Sequence, residues 1–143
     1  MKIYKIGLIG CGRIGSLLEK DKLRGKPCTH AGGFNALSNT RIVAGCDIDP
    51  SRLKNFGVDW GVDRLYDDYK EMLHQENLDV ACIATWTCLH ASMVMDAARL
   101  GVKAIFCEKP IALNPHDGHQ MVRFCQKKNV SLIINHERRW DSY

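Results

Sequence analysis

Residues 5–15 read Lys-Ile-Gly-Leu-Ile-Gly-Cys-Gly-Arg-Ile-Gly, an apolar run that passes directly into a Gly-x-Gly-x-x-Gly spacing at Gly10, Gly12 and Gly15. Each glycine answers a separate steric demand. Gly10 permits a tight turn out of a strand, and Gly12 leaves room for a diphosphate against the backbone. Gly15 lets a following helix pack close to a sheet, with its positive N-terminus toward the phosphates. Glycine-rich turns also arise for purely conformational reasons. The place of this one, just after a strand-like run at the start of the chain, is the context that favours a nucleotide. Arg13 and Ile14 fall inside the turn and belong to the same candidate cofactor-binding set.

At 143 residues the chain can bury a real core, and 1–143 reads as a single domain. The net charge is +4, but Lys and Arg cluster only at Lys20-Asp21-Lys22-Leu23-Arg24, Lys127-Lys128 and Arg138-Arg139. A nucleic-acid surface would gather such charges beside stacking aromatics, so nucleic acid is not an expected partner; a mild positive field suits an anionic cofactor equally well. The seven cysteines are odd in number and include no Cys-x-x-Cys pair, and Cys82 and Cys107 sit in apolar runs. They read as reduced, buried thiols of a cytoplasmic protein. A zinc site on Cys28 and His30 has no recognised spacing behind it, and no metal is expected. Leu8-Ile9-Gly10-Cys11 imitates a lipoprotein cleavage box. The apolar stretch before it falls short of the roughly 7–15 residues of a signal sequence, and no run nears the ~18 of a membrane span, so no membrane partner is expected.

Apolar runs at 3–9, 41–47, 64–66, 79–84, 103–107 and 130–135 alternate with helix-like segments. That alternation predicts an α/β protein, a Rossmann-type doubly wound parallel sheet in three α-β-α layers. Asp49, directly before Pro50, suits a helix cap, and Asp67 or Asp68 caps a helix through His74 with Met72 and Leu73 inward. A helix over 90–100 carries Ala91, Val94, Met95 and Ala98 and stops at Gly101. Asn114-Pro115 opens another, facing inward through Met121, Val122, Phe124 and Cys125. Segment 21–33, rich in Gly, Lys and Pro, breaks the pattern. It reads as a surface loop between the first helix and the second strand, in preference to an element covering the cofactor or meeting another subunit.

The second strand ends in Cys46-Asp47-Ile48-Asp49-Pro50. An acid at this place accepts hydrogen bonds from the adenosine ribose and repels a 2′-phosphate, so Asp47 points to NAD, with Asp49 left to cap the helix. Asp47 lies further beyond Gly15 than the about 20 residues usual for the fold, and segment 21–33 absorbs the excess. Arg41 and Arg52 nearby could still take a phosphate, which keeps NADP open as a cofactor.

After the fifth apolar run comes Phe106-Cys107-Glu108-Lys109-Pro110. Taken alone, Lys109 is a solvated loop lysine. Together, the Gly-x-Gly-x-x-Gly turn, Asp47, Ala84-Thr85 with His90, and Glu108-Lys109-Pro110 resemble the glucose-fructose oxidoreductase / inositol dehydrogenase / MocA family over essentially the whole chain. Asn135-His136-Glu137-Arg138-Arg139-Trp140 is similar to that family's Asn-x-x-Arg-(Arg/Lys)-(Phe/Trp) segment.

The resemblance implies the NAD-binding half of an oxidoreductase acting on a sugar, cyclitol or related polyol. Lys109 would be catalytic, lying beside the nicotinamide and stabilising the alkoxide that develops as hydride leaves. Glu108 would hold the turn and contact the cofactor, and Pro110 would aim Lys109 into the cleft. Ala84, Thr85 and an 86–89 loop would line the cofactor channel. His90 joins the cofactor-binding set, although starting and packing the next helix is its simpler part. Family members carry Pro-Asn where this chain has Trp86-Thr87. Family enzymes continue into a second α/β domain with the substrate pocket and a general acid/base histidine, and no histidine here has a partner for that task. The expectation is a cofactor half that binds NAD without turnover, from an intact enzyme that is a homo-oligomer. The alternative is a stand-alone, non-catalytic dinucleotide-binding or redox-sensing module.

Overall fold

The computed structural model describes residues 2–140. Six strands, β1 (Tyr4–Ile9), β2 (Thr40–Cys46), β3 (Arg64–Tyr66), β4 (Val80–Ile83), β5 (Ala104–Glu108) and β6 (Ser131–Asn135), form one sheet in the order β3-β2-β1-β4-β5-β6. Every pairing is parallel. This is the expected doubly wound Rossmann sheet, and its strands begin and end within a residue or so of the apolar runs. Parallel strands buried on both faces need continuous apolar character rather than alternation. β1 at the centre meets that need, with Ile6, Leu8 and Ile9 almost fully buried.

Five helices, α1 (His30–Asn35), α2 (Pro50–Trp60), α3 (Tyr69–Gln75), α4 (Thr87–Arg99) and α5 (Pro115–Lys127), cover the two faces. On one face, Ala31 of α1 and Phe56 of α2 pack on Ile6, Leu8 and Cys82. On the other, Met72 of α3, Val94 and Ala97 of α4, and Met121 and Cys125 of α5 pack on Ile9, Ile83 and Ile105. The caps stand where the sequence puts them. Asp49 accepts from the Ser51 and Arg52 amides at 2.9 and 3.1 Å, Asp68 from Lys70 at 2.8 Å, and Asn114 from Asp117 at 2.9 Å. Each satisfies amides that a helix leaves unpaired at its start.

Four expectations are corrected. First, no regular helix follows Gly15. The chain closes a turn in which Ser16 N and Leu17 N both donate to Gly12 O and Leu18 N to Arg13 O, then makes a 3-10 turn at Leu17–Lys20 and leaves the sheet. Second, segment 21–33 is not a loop throughout. Thr29 caps α1 by accepting from Gly32 N, and residues 29–32 are buried. The His30 and Ala31 amides donate to the Ile14 and Gly15 carbonyls at 3.0 and 2.9 Å, so the first amides of α1 are satisfied by the glycine turn. Glu19 closes the base of the excursion, accepting from Cys28 N at 3.1 Å and Thr29 Oγ1 at 2.7 Å. Third, α4 begins at Thr87, so residues 87–89 are its first turn and only 84–86 connect it to β4. Fourth, Val122 is 39% exposed, because the inward stripe of α5 runs through Gly118, Met121 and Cys125 at helical spacing.

Candidate nucleotide-binding site

The carboxyl ends of the strands bring the sequence-derived residues to one edge of the sheet. β1 leads to the side on which β2 lies and β4 returns on the other, so the crevice outside β1 and β4 is the switch point where open α/β sheets bind ligands. Gly10 leaves β1 at φ 95°, in the left-handed region, and its amide donates to Cys46 O at 2.8 Å. A Cβ there would meet the Ala84 carbonyl at 2.5 Å, and a Cβ on Gly15 would meet the Gly10 carbonyl at 2.0 Å. A Cβ on Gly12 would meet nothing within 4 Å. Gly10 and Gly15 thus fold the turn, and Gly12 leaves it bare.

Among the described residues, no acceptor takes the amides of Gly12, Arg13, Ile14 or Gly15. Four consecutive N–H groups left open beside a glycine with clear space above it fit a diphosphate. The Cys11 amide is committed elsewhere, donating to Asp47 Oδ2 at 2.8 Å, while Asp47 Oδ1 accepts from Asp49 N at 2.9 Å. Asp47 is buried and braces the turn from the end of β2. Trp60 of α2 braces it from another side, donating from Nε1 to Ser16 Oγ at 2.8 Å.

Across the crevice, Ala84 N donates to Ile9 O at 2.8 Å, which ties the end of β4 to the end of β1. Thr85 Oγ1 lies 3.4 Å from Met93 Sδ, and Trp86 is 81% exposed. His90 is fully buried in α4, with Nδ1 at 2.9 Å from Pro110 O and Nε2 at 3.2 Å from Thr85 O. Both partners are carbonyl acceptors, so a neutral ring donates to one of them at a time. Either bond joins α4 to a loop of the site.

Glu108 ends β5 with a buried carboxylate that takes three donors. Oε1 accepts from His30 Nε2 at 2.8 Å and Asn135 Nδ2 at 2.7 Å, and Oε2 accepts from the Lys109 amide at 3.2 Å. Burial pushes this carboxyl up, and the bonds from His30, Asn135 and Lys109 outweigh it, leaving it below the ordinary 4.5. Lys109 itself is exposed, and its Nζ has no partner among the described residues. The Lys109-Pro110 bond is cis. On the α1 face of β5 and β6 a cavity of about 360 Å³ opens, lined by Ile14, His30, Phe34, Phe106, Asn135 and Glu137 among others. It borders the partners of Glu108, and Lys109 is not in its lining.

Sequence reasoning missed His30 and the engagement of Asn135 with Glu108. The signal for α1 was Thr29, a good cap, but Gly32 and Gly33 behind it lower helix propensity and hid the element. Of the tail motif, the side chains of Arg138 and Trp140 lie outside the described residues.

A doubly wound sheet that bares a run of amides at its switch point, with an acid closing the second strand, defines a dinucleotide-binding domain. The chain matches the GFO_IDH_MocA model, described as "Oxidoreductase family, NAD-binding Rossmann fold", over residues 4–136, and belongs to that family. It is 37% identical to D-apiose dehydrogenase of Paraburkholderia graminis over 140 residues, covering 98% of this chain and 34% of that one. To myo-inositol 2-dehydrogenase of Thermotoga maritima it is 30% identical over 137 residues, 96% of this chain and 37% of the other. The WlbA dehydrogenase of Chromobacterium violaceum, solved with NADH and UDP-GlcNAcA, superposes with a TM-score of 0.83 at 26% identity, over 98% of this chain and 37% of that one. The chain therefore spans about a third of the length of the relatives it matches. No helix among the described residues is long and apolar enough to cross a membrane.

Proposed function

We propose that this chain is the cofactor half of a cytoplasmic, homo-oligomeric dehydrogenase that moves hydride between NAD and a secondary alcohol of a sugar, cyclitol or related polyol. The observation that carries the reading is the run of four unengaged amides at Gly12–Gly15, in the turn after β1 at the same carboxyl edge of the sheet where Lys109 follows β5. The turn residues Gly10, Gly12, Arg13, Ile14 and Gly15 cradle the diphosphate. Asp47 meets the adenosine ribose and disfavours a 2′-phosphate, so NAD binds ahead of NADP. Ala84 and Thr85 form the β4 side of the channel, and the buried His90, instead of reaching the cofactor, braces the carbonyls of Thr85 and Pro110 from behind. Glu108 and Pro110 hold the β5 side.

The bound nicotinamide supplies the hydride acceptor. Lys109 places a cation where the alcohol oxygen gains negative charge as its proton and hydride leave, which is stabilisation aimed at the transition state. Since the relatives are about three times as long, the general base and the polyol pocket belong to sequence beyond this domain. The domain alone binds cofactor and turns nothing over.

Calorimetric titration with NADH tests the first half: a folded chain that takes up neither NADH nor NADPH overturns it. A polyol panel with NAD tests the second, and steady NADH production by this chain overturns that half.

A further inference from the structure

Two loops that the proposed function uses separately are joined through one residue, by its main chain on one side and its ring on the other. The backbone amide of His30 donates to Ile14 O at 3.0 Å, inside the glycine turn. The His30 ring reaches the other loop, Nε2 to Glu108 Oε1 at 2.8 Å, and Glu108 Oε2 in turn takes the Lys109 amide. A carboxylate only accepts, so this ring nitrogen carries its proton. The ring is almost fully buried and rests edge-on against Phe106 of β5, centroids 5.3 Å apart, which fixes its rotation. Asn135 holds the same Glu108 oxygen from β6.

We infer that His30 is a positioning residue that sets Lys109 against the diphosphate turn, acting through Glu108, with Asn135 as its second support. Buried charge-assisted bonds such as these are strong and directional, and the second oxygen of Glu108 aims the main chain at Lys109. Losing His30 leaves Glu108 with one side-chain donor and frees the Lys109 loop to rotate, while the amides of the turn stay open. The inference rests on the assignment of Lys109 to the nicotinamide end of the cofactor.

The experiment compares NADH with ADP-ribose, which lacks the nicotinamide, as calorimetric probes of the whole chain. The unaltered chain binds NADH more tightly. His30→Ala cuts that preference by about five- to tenfold and leaves the ADP-ribose affinity within about twofold. His30→Gln restores the preference, because its amide donor replaces Nε2. Combining His30→Ala with Lys109→Ala costs no more than Lys109→Ala alone, the mark of one residue acting through another. If thermal melts show His30→Ala unfolded, Asn135→Ala carries the test with a smaller loss of the same preference. Folded His30→Ala or Asn135→Ala proteins that keep the preference, while Lys109→Ala loses it, overturn the inference alone. No preference in the unaltered chain, or one that survives Lys109→Ala, overturns the Lys109 assignment and the inference with it.

Discussion

The amide of Cys11 donates to Oδ2 of Asp47 across 2.8 Å, so the acid that closes β2 holds the turn that follows β1. Its other oxygen holds Asp49 N, at the cap of α2. Asp47→Ala strands both amides and is expected to cost about 2 kcal/mol of stability, since the buried Cys11 amide loses its acceptor outright and the half-buried Asp49 amide loses one that water can partly replace. Thermal melting checks this. Asp47→Asn keeps one acceptor, costs less, and shifts the cofactor preference toward NADPH by removing the repelling charge, which paired titrations with NADH and NADPH read.

Gly12 and Gly15 separate the nucleotide from the fold. A Cβ on Gly12 meets open space, so Gly12→Val is expected to melt within a few degrees of the unaltered chain and to bind NADH at least about tenfold more weakly. Gly15→Val drives a side chain into the Gly10 carbonyl and is expected to destabilise the domain by 2 kcal/mol or more, roughly the cost of overpacking a rigid site. Equal melting temperatures for the two variants would contradict this division.

Asp79, at the opposite end of the sheet, gathers Lys103 Nζ at 2.9 Å, Lys5 N at 3.0 Å and Lys2 Nζ at 3.0 Å. The Lys103 bond, the Lys5 amide and Lys2 hold its carboxyl far below the ordinary 3.8. A depressed folded-state value means that the ionised form is favoured by folding, so this stabilisation is complete above the unfolded value and is lost as pH falls below it. Asp79→Asn is expected to melt below the unaltered chain at pH 7, with a gap that stays constant down to about pH 5 and narrows steadily from about pH 4 downward. Melting curves of both proteins across that range check it.

The thiols should divide by exposure. Cys88 is exposed and Cys28 half-buried, whereas Cys11, Cys46, Cys82, Cys107 and Cys125 are buried. Burial pushes Cys46 and Cys107 up to about 12 and raises Cys11 and Cys82 as well. A thiol-specific reagent at pH 8 is expected to modify Cys88 first and Cys28 more slowly, and to reach the others only in denaturant, with mass spectrometry locating the labels.

Much of the architecture was legible because its signals are local. Asp49-Pro50, Asp68 and Asn114-Pro115 cap helices through hydrogen bonds to amides two or three residues on, a relationship that spacing alone expresses. The strands were legible because burial on both faces demands unbroken apolar runs. Where the reading slipped, distant contacts decided. Residues 21–33 look like a loop by composition, yet α1 forms there because its first amides find the carbonyls of Ile14 and Gly15. Val122 was placed inward by apolar character, but the stripe of α5 is set by where β6 and α4 lie.

By itself, the order of residues determined which turn must be bare and which strands must be buried, since the positive φ of Gly10, the contact of Gly15 with the Gly10 carbonyl and the unbroken apolar runs are written within a few positions of the chain. Tertiary structure decided the partnerships. His30 meets Glu108 from 78 residues away, and Asp47 meets Cys11 from 36. Such pairs exist only after the sheet has brought the carboxyl ends of β1, β2, β5 and β6 together. A hydrogen bond depends on a few tenths of an ångström and an angle, and chain spacing fixes neither across so long a loop.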